Sequence, residues 1–240
     1  KRNVPAMRAT EAIVLVGGLG TRLRGVVPDV PKPLAPVAGR PFLCYVLDNY
    51  AQNGIRRVIL ATGHGGSQVQ AAIGGHWAGM EVVYSQESFP LGTGGAIRQA
   101  ASLLQGQGVH LANGDTYLRY QPAQLEAATM ALAAPLGIAL ARVQDVGRYG
   151  AVELEAGLVS GFVEKGVEGE GWINAGSYFL SEAGIAELPE GVAFSFEERV
   201  LRPWARDRRV AASVLTSDFI DIGVPEDYFR AQDIFTGNLP

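Results

Sequence analysis

The chain has 240 residues, with 20 Lys+Arg against 24 Asp+Glu, a formal net charge of −4 and a single cysteine. One cysteine excludes an intrachain disulfide and a Cys-rich metal site, and makes a reducing, cytoplasmic setting the expectation. The mild acidity gives no global reason to bind nucleic acid or membrane, and no apolar run approaches the roughly 18–20 residues that span a bilayer. Any polyanion site must therefore be local. Glycine is in excess: 31 of 240 residues, where roughly 7% is usual. That excess asks whether backbone must come close to a ligand somewhere.

Residues 1–9 read as a tail. Lys1 to Met7 lacks the apolar core of a signal peptide, and the expectation is a vector remnant ahead of a native Met7. A strand is predicted over 11–16 (EAIVLV), a β-branched apolar run suited to burial on both faces. It ends in Gly17-Gly18-Leu19-Gly20. A helix follows over 41–53, with Leu43, Val46, Leu47 and Tyr50 at helical spacing and Gly54 as a stop. Next come a strand over 57–62, a helix over 67–73, a strand over 81–85, a helix over 94–104 and a strand over 109–112. A helix over 122–132 and a strand over 136–143 complete the first half. The rhythm predicts an α/β fold: a Rossmann-like, mostly parallel sheet with helices on both faces. The second half adds antiparallel strands. A hairpin over 150–155 and 158–164 turns at Ala156-Gly157. A strand over 172–180, a helix over 196–206, a strand over 210–215 and a helix over 226–235 follow. Without a low-complexity linker, residues 10–240 read as one domain.

In open α/β sheets, ligands bind beyond the carboxyl ends of the strands, and four clusters fall there. The first is Gly17-Gly18-Leu19-Gly20-Thr21-Arg22, followed by Pro31-Lys32-Pro33. Glycines let backbone N–H groups surround phosphate oxygens, Thr21 adds a hydroxyl, and Arg22 can grip a phosphate with two donors. The flanking prolines present Lys32 from a stiff segment. GGLG alone could be an ordinary tight turn; with Thr21-Arg22 and Lys32 in order, a phosphate grip is the better reading. It is neither a Walker A loop nor the dinucleotide fingerprint, because no Gly-Lys-Ser/Thr follows and Leu23 stands where the last glycine would be.

The second cluster, Glu87 to Ala96, contains Leu91-Gly92-Thr93-Gly94-Gly95 and suits a base-binding loop, with backbone at Leu91 and Gly92 against a planar ring and Glu87 at its edge. The third is Asn113-Gly114-Asp115 and the fourth Asp221-Ile222-Gly223. Two acids from distant strands could share a Mg²⁺ ion, completed by phosphates and waters. Glu164-Lys165 closes a hairpin strand, and Asn174-Ala175-Gly176 lies within the next. His64, His76 and His110 have no metal or triad spacing and read as structural or surface residues. Cys44 reads as a buried small apolar residue, and no G-x-S-x-G supports a serine nucleophile.

GGLGTRL, PKP, LGTGGA, NGD, EK, NAG and IDIG, in this order from about residue 12 to 228, resemble the sugar-1-phosphate nucleotidyltransferases (NDP-sugar pyrophosphorylases). PKPLAPVAGRPFL, RYGAVE and FIDIGVPEDY look most like the D-glycero-α-D-manno-heptose 1-phosphate guanylyltransferases of bacterial surface-polysaccharide synthesis. The resemblance implies the nucleotide-diphospho-sugar transferase fold, with 10–120 serving mainly the nucleotide and 121–240 mainly the sugar phosphate. It implies transfer of a nucleotidyl group from an NTP to a sugar 1-phosphate, with release of pyrophosphate. Leu15, Gly17, Gly18, Gly20, Thr21, Glu87, Leu91, Gly92, Thr93 and Asn113 would bind the nucleotide. Arg22, Lys32 and Lys165 would act on the phosphates, and Asp115 and Asp221 would hold Mg²⁺. Gly150, Glu164 and Asn174 would hold the sugar.

In thymidylyl and uridylyl relatives, a glutamine stands near the place of Glu87. A carboxylate only accepts hydrogen bonds; guanine offers two adjacent donors and uracil one donor flanked by acceptors, so Glu87 favours GTP. Three alternatives stand beside this reading: a mannose 1-phosphate guanylyltransferase, an N-acetylmuramate 1-phosphate uridylyltransferase and a non-catalytic regulatory homologue. The expected partners are the two substrates, with no nucleic acid and no membrane, in a monomer or small homo-oligomer. A β-helix segment after the last helix, and a fused acetyltransferase activity with it, are not expected.

Overall fold

The computed structural model describes residues 6–18, 30–164 and 166–237. In chain order, the first half comprises β1 (Glu11–Leu15), a 3-10 turn at Lys32–Leu34, a short hairpin of β2 (Pro36–Val37) and β3 (Arg40–Pro41), α1 (Phe42–Gln52), β4 (Arg57–Thr62), α2 (Gly66–Ile73), β5 (His76–Trp77), β6 (Met80–Gln86) and α3 (Gly92–Ala101). Then follow β7 (Val109–Asn113), β8 (Thr116–Tyr120), α4 (Pro122–Ala131), β9 (Leu136–Val143), β10 (Ala151–Glu155), β11 (Leu158–Val163) and β12 (Gly171–Leu180). The chain continues with α5 (Glu182–Ala186), a π-helical turn at Glu197–Leu201, α6 (Arg202–Arg206), β13 (Val210–Ser213), β14 (Thr216–Asp221) and α7 (Pro225–Thr236).

The main sheet has ten strands in the order β10-β11-β13-β9-β12-β7-β1-β4-β6-β5. β1 pairs in parallel with β4 and β7, β4 with β6, and β9 with β13. β12 is inserted antiparallel between β7 and β9, so all six of those other strands point the same way. Their carboxyl ends share one edge of the sheet, as the alternating pattern predicts. The continuous apolar run of β1 is explained by its place at the centre: Ala12, Ile13 and Val14 are wholly buried, and neighbouring side chains enter opposite cores. On one face, Ala12 and Val14 join Phe42, Leu43 and Leu47 of α1. On the other, Ile13 joins Ile97 of α3 and Trp204 of α6.

Several expectations are corrected in detail. The segment after Asp115 is a strand, β8, which pairs antiparallel with β14 in a separate two-stranded sheet. Tyr117, Leu118 and Tyr120 are buried, on both faces of the strand, but five residues beside a turn carry little pattern. The hairpin at Ala156-Gly157 forms as expected, with both residues at positive φ as a tight twist-matched turn requires. It extends the edge of the main sheet rather than forming a separate layer. The strand predicted over 210–215 ends at Ser213, leaving Leu215 half-exposed at 52%. The helix predicted over 196–206 opens with the π turn, and Pro203 sits in the first turn of α6. Proline cannot donate and crowds the carbonyl four residues back; a locally widened helix accommodates it.

One buried polar group ties the start of the domain to this frame. Glu126 of α4 accepts the Arg8 N–H at 2.9 Å and the Ala9 N–H at 3.2 Å. His110 of β7 is completely buried, and its Nε2 faces Glu126 at 3.5 Å, too far for a good hydrogen bond. Burial pushes the His110 pKa down, outweighing the attraction of Glu126. Glu126 is itself held below the usual carboxylate range: His110 and the two backbone donors outweigh its burial.

Candidate active site

A cavity of about 460 Å³ opens at the carboxyl edge of β1, β4 and β6. Leu15, Gly17 and Gly18 line it from β1, with Glu87, Gly92 and Thr93 from the segment between β6 and α3. These are six of the residues expected to hold a nucleotide. Leu91, the seventh with a described position near here, is 6% exposed and supports the loop from behind. The Glu87 backbone N–H donates to Thr62 at 2.9 Å, which sets Glu87 at the end of the neighbouring strand. Burial pushes the Glu87 carboxyl above its ordinary pKa, with the Leu91 backbone N–H opposing. A ligand offering donors to that carboxylate would reverse the shift.

The loop owes its shape to the second half of the chain. Gly94 N–H donates to the Phe194 carbonyl at 2.9 Å, and Phe194 N–H donates to the Leu91 carbonyl at 2.9 Å. A Cβ on Gly94 would strike the Phe194 ring, so the glycine there is a packing requirement. Thr93 does more than line the cavity: its Oγ1 accepts the Phe196 N–H at 2.9 Å.

The two acids and Lys32 meet beyond the end of β7. The NGD turn is drawn onto β1, with Gly114 N–H donating to the Leu15 carbonyl at 2.8 Å. Lys32 Nζ lies 2.6 Å from Asp115 Oδ2. Asp221 comes alongside because β14 pairs with β8 at Asp221 and Thr116. A Cβ on Gly223 would strike the Lys32 ammonium and lie 3.0 Å from Asp221 Oδ1, so Lys32 and Asp221 meet over this glycine and Asp115 joins them through Lys32. Burial pushes the Asp221 carboxyl above its ordinary pKa; the Gly223 N–H opposes this, and the charge of Asp115 adds to it. An oxygen-liganding cation suits such a pair. Among the described residues, no cluster of three or more His, Cys, Asp or Glu has metal-site geometry, so protein would supply only part of a coordination shell.

The sugar-side residues are more scattered. Gly150 N–H donates to the Val146 carbonyl at 2.8 Å. The adjacent Tyr149 packs edge-on against Phe219 at 5.5 Å, which brings that loop beside β14. Glu164 is exposed just past β11. Asn174 sits at an irregularity in the β12–β9 pairing. There Gly176 has φ +71°, and a Cβ on it would come within 2.5 Å of Asn113 Nδ2. Only glycine fits that bend, and it brings Asn113 against the sugar-side strand. Gly20, Thr21, Arg22 and Lys165 lie outside the described residues.

Sequence reading missed part of the cavity. Gly63 and His64, after β4, also line it; His64 is exposed, as a surface residue would be. The available signal was positional: T-G-H-G-G follows a buried strand at the same sheet edge. His110 and Cys44 are buried as expected.

The strand-end glycine and acid motifs on this sheet point to a class, and the family comparison agrees. Residues 11–237 match the nucleotidyl transferase family, and the chain belongs to it. More particularly, it is 38% identical over 222 residues to the D-glycero-α-D-manno-heptose 1-phosphate guanylyltransferase of Aneurinibacillus thermoaerophilus, covering 92% of this chain and 96% of that one. The same-named protein of Campylobacter jejuni is 36% identical over 92% of this chain and 97% of its own length. The crystal structure of HddC from Yersinia pseudotuberculosis complexed with GMP-PN superposes with a TM-score of 0.82 at 34% identity, covering 95% of this chain and all of that one. Among the described residues, no helix is long and apolar enough to cross a membrane.

Proposed function

We propose that the protein is a guanylyltransferase that joins GTP to D-glycero-α-D-manno-heptose 1-phosphate, releasing pyrophosphate and a GDP-heptose for surface-polysaccharide synthesis. The observation that carries the reading is the cavity that runs from Glu87 to Gly17 and Gly18 at the same sheet edge as the Lys32, Asp115 and Asp221 cluster. The base would lie against Leu15 and Gly92, with its two donors on Glu87. The triphosphate would follow the Gly17–Arg22 segment towards Lys32.

In the reaction, a phosphate oxygen of the sugar 1-phosphate bonds to the α-phosphorus of GTP. The bond from that phosphorus to the oxygen bridging to the β-phosphate breaks, and pyrophosphate leaves with the electron pair. The attacking oxygen is already anionic near neutral pH, so no general base is needed. The barrier lies in bringing two polyanions together in line, which fixed cations and positioning lower. Asp115 and Asp221 would hold Mg²⁺, which when bound neutralises developing phosphate charge. Arg22 would draw on the departing pyrophosphate, and Lys32 and Lys165 would steady the phosphates. Gly150, Glu164 and Asn174 would take the sugar hydroxyls.

The test is pyrophosphate release from the four NTPs with heptose, mannose, glucose and N-acetylmuramate 1-phosphates in Mg²⁺. GTP with the heptose phosphate should give the highest kcat/KM; a UTP preference would sink the base assignment. Glu87→Gln should lower the GTP:UTP preference by roughly 10-fold or more, the worth of hydrogen bonds to a charged acceptor.

A further inference from the structure

Tyr178 has no role in the reaction as described, yet it links Asn174 to Phe196 beside the nucleoside cavity. Its ring is 7% exposed and packs edge-on against Phe196, with centroids 5.3 Å apart and planes at 70°. Phe196 is the residue whose N–H is fixed by Thr93 of the nucleoside cavity. At its other end, the Tyr178 hydroxyl accepts from Asn174 Nδ2 at 2.8 Å and lies 3.0 Å from Asn174 Oδ1. Asn174 Oδ1 also accepts the Gly176 N–H at 2.9 Å. Burial drives the Tyr178 pKa far above its ordinary value, so the hydroxyl stays protonated.

The Gly176 N–H fixes which way the Asn174 amide faces, and the Tyr178 hydroxyl, within reach of both amide atoms, restrains its position. With one Nδ2 hydrogen given to Tyr178, the second remains for a ligand, together with what is left of the Oδ1 acceptor capacity. A donor and an acceptor side by side suit neighbouring hydroxyls on a sugar ring. Without the phenol, the amide would keep only its Gly176 contact and could swing away from the position in which both of its atoms face the hydroxyl. A tyrosine serving only to fill the core would need its ring and not its hydroxyl.

We infer that Tyr178 is a positioning residue for the sugar phosphate, holding the Asn174 amide in its binding position from a ring braced on Phe196 and, through it, on the nucleoside loop. The inference rests on the proposed contact of Asn174 with the sugar.

The experiment is steady-state pyrophosphate release with heptose 1-phosphate and GTP each varied in turn, for Asn174→Ala, Tyr178→Phe and the double variant. Asn174→Ala should raise the KM for the sugar phosphate about 10-fold and Tyr178→Phe about 5-fold, with the KM for GTP within about twofold in both, in line with loss of single hydrogen bonds. The double variant should be no worse than Asn174→Ala alone, because Tyr178 acts through that amide. Multiplying effects would overturn the inference, as would an unchanged sugar-phosphate KM in Tyr178→Phe. If Asn174→Ala itself changes nothing, the assignment of Asn174 falls first and the inference with it. Phe196→Leu, which keeps the hydroxyl but weakens the brace, gives a second reading should Tyr178→Phe fold poorly: the sugar-phosphate KM should rise about threefold, and no change would count against the link.

Discussion

The proposed nucleoside end of the cleft owes much of its wall to glycine backbone, whereas the proposed sugar end depends on side chains held by other side chains. Gly17, Gly18, Gly63 and Gly92 bring backbone to the cavity wall, and the loop above is tied by backbone hydrogen bonds to Phe194. At the proposed sugar end, Asn174 contacts Tyr178, Tyr149 beside Gly150 packs against Phe219, and Glu164 stands exposed. A wall of backbone fits a feature common to every nucleotide, its phosphates and planar base. A wall of side chains can be retuned for different sugars without disturbing the sheet.

Substitutions can break or sharpen this contrast. The largest effect belongs where the two ends meet. Asp221→Asn keeps the shape but removes a charge, and kcat should fall on the order of 100- to 1000-fold. Because burial and Asp115 already disfavour the Asp221 charge, thermal denaturation should show the variant no less stable than the parent. A marked loss of stability with kcat intact would mean that Asp221 is structural. Next comes Gly94→Val, which drives a side chain into Phe194. Overpacking should cost about 1–3 kcal/mol in denaturant unfolding, and the KM for GTP should rise more than the KM for the sugar phosphate. Equal rises would show that the two ends are not separately built. The smallest effect is expected from Glu164→Ala. One exposed carboxylate should be worth about 1 kcal/mol, roughly fivefold in sugar-phosphate KM, with no change in melting temperature.

The same contrast explains what could be read from the chain. The buried strands of the first half were legible because each is a short apolar run bounded by glycine or polar residues, and Arg57–Thr62 and Leu136–Val143 have the predicted limits. Asp115 and Asp221 were legible because each follows an apolar strand at the functional edge of the sheet. Gly63 and His64 lay at that edge too, but a Gly-rich turn carries no chemistry of its own. Tyr178 was hidden for another reason: within NAGSYFL it is one more apolar strand residue, and its role depends on Phe196 and Thr93, far away in sequence. Likewise, β8 draws its partner, β14, from a hundred residues on, and local pattern cannot report such a pairing.

The buried contact between β7 and α4 has a consequence for the whole molecule in acid. His110 is neutral in the fold because burial lowers its pKa, whereas in the unfolded chain it protonates near its ordinary value of roughly 6.5. As pH falls through that value, protons are taken up preferentially by unfolded chains, and stability declines until the folded pKa is reached. Glu126 then acts in the same direction: its folded pKa is depressed, so the stability it contributes is present above its ordinary carboxylate pKa and is lost as pH falls below it. Denaturant titrations from pH 8 to pH 5 should show falling stability, and His110→Leu should flatten that slope. Since Glu126 also holds the Arg8 and Ala9 backbone and its folded pKa is depressed, that hold should survive mild acid. It should give way only below the ordinary carboxylate range, detectable as loss of amide-exchange protection at the entry to β1 there and not at pH 5. The central strand of the sheet thus has a fastening at its base that outlasts the acid loss of the neighbouring His110 contribution.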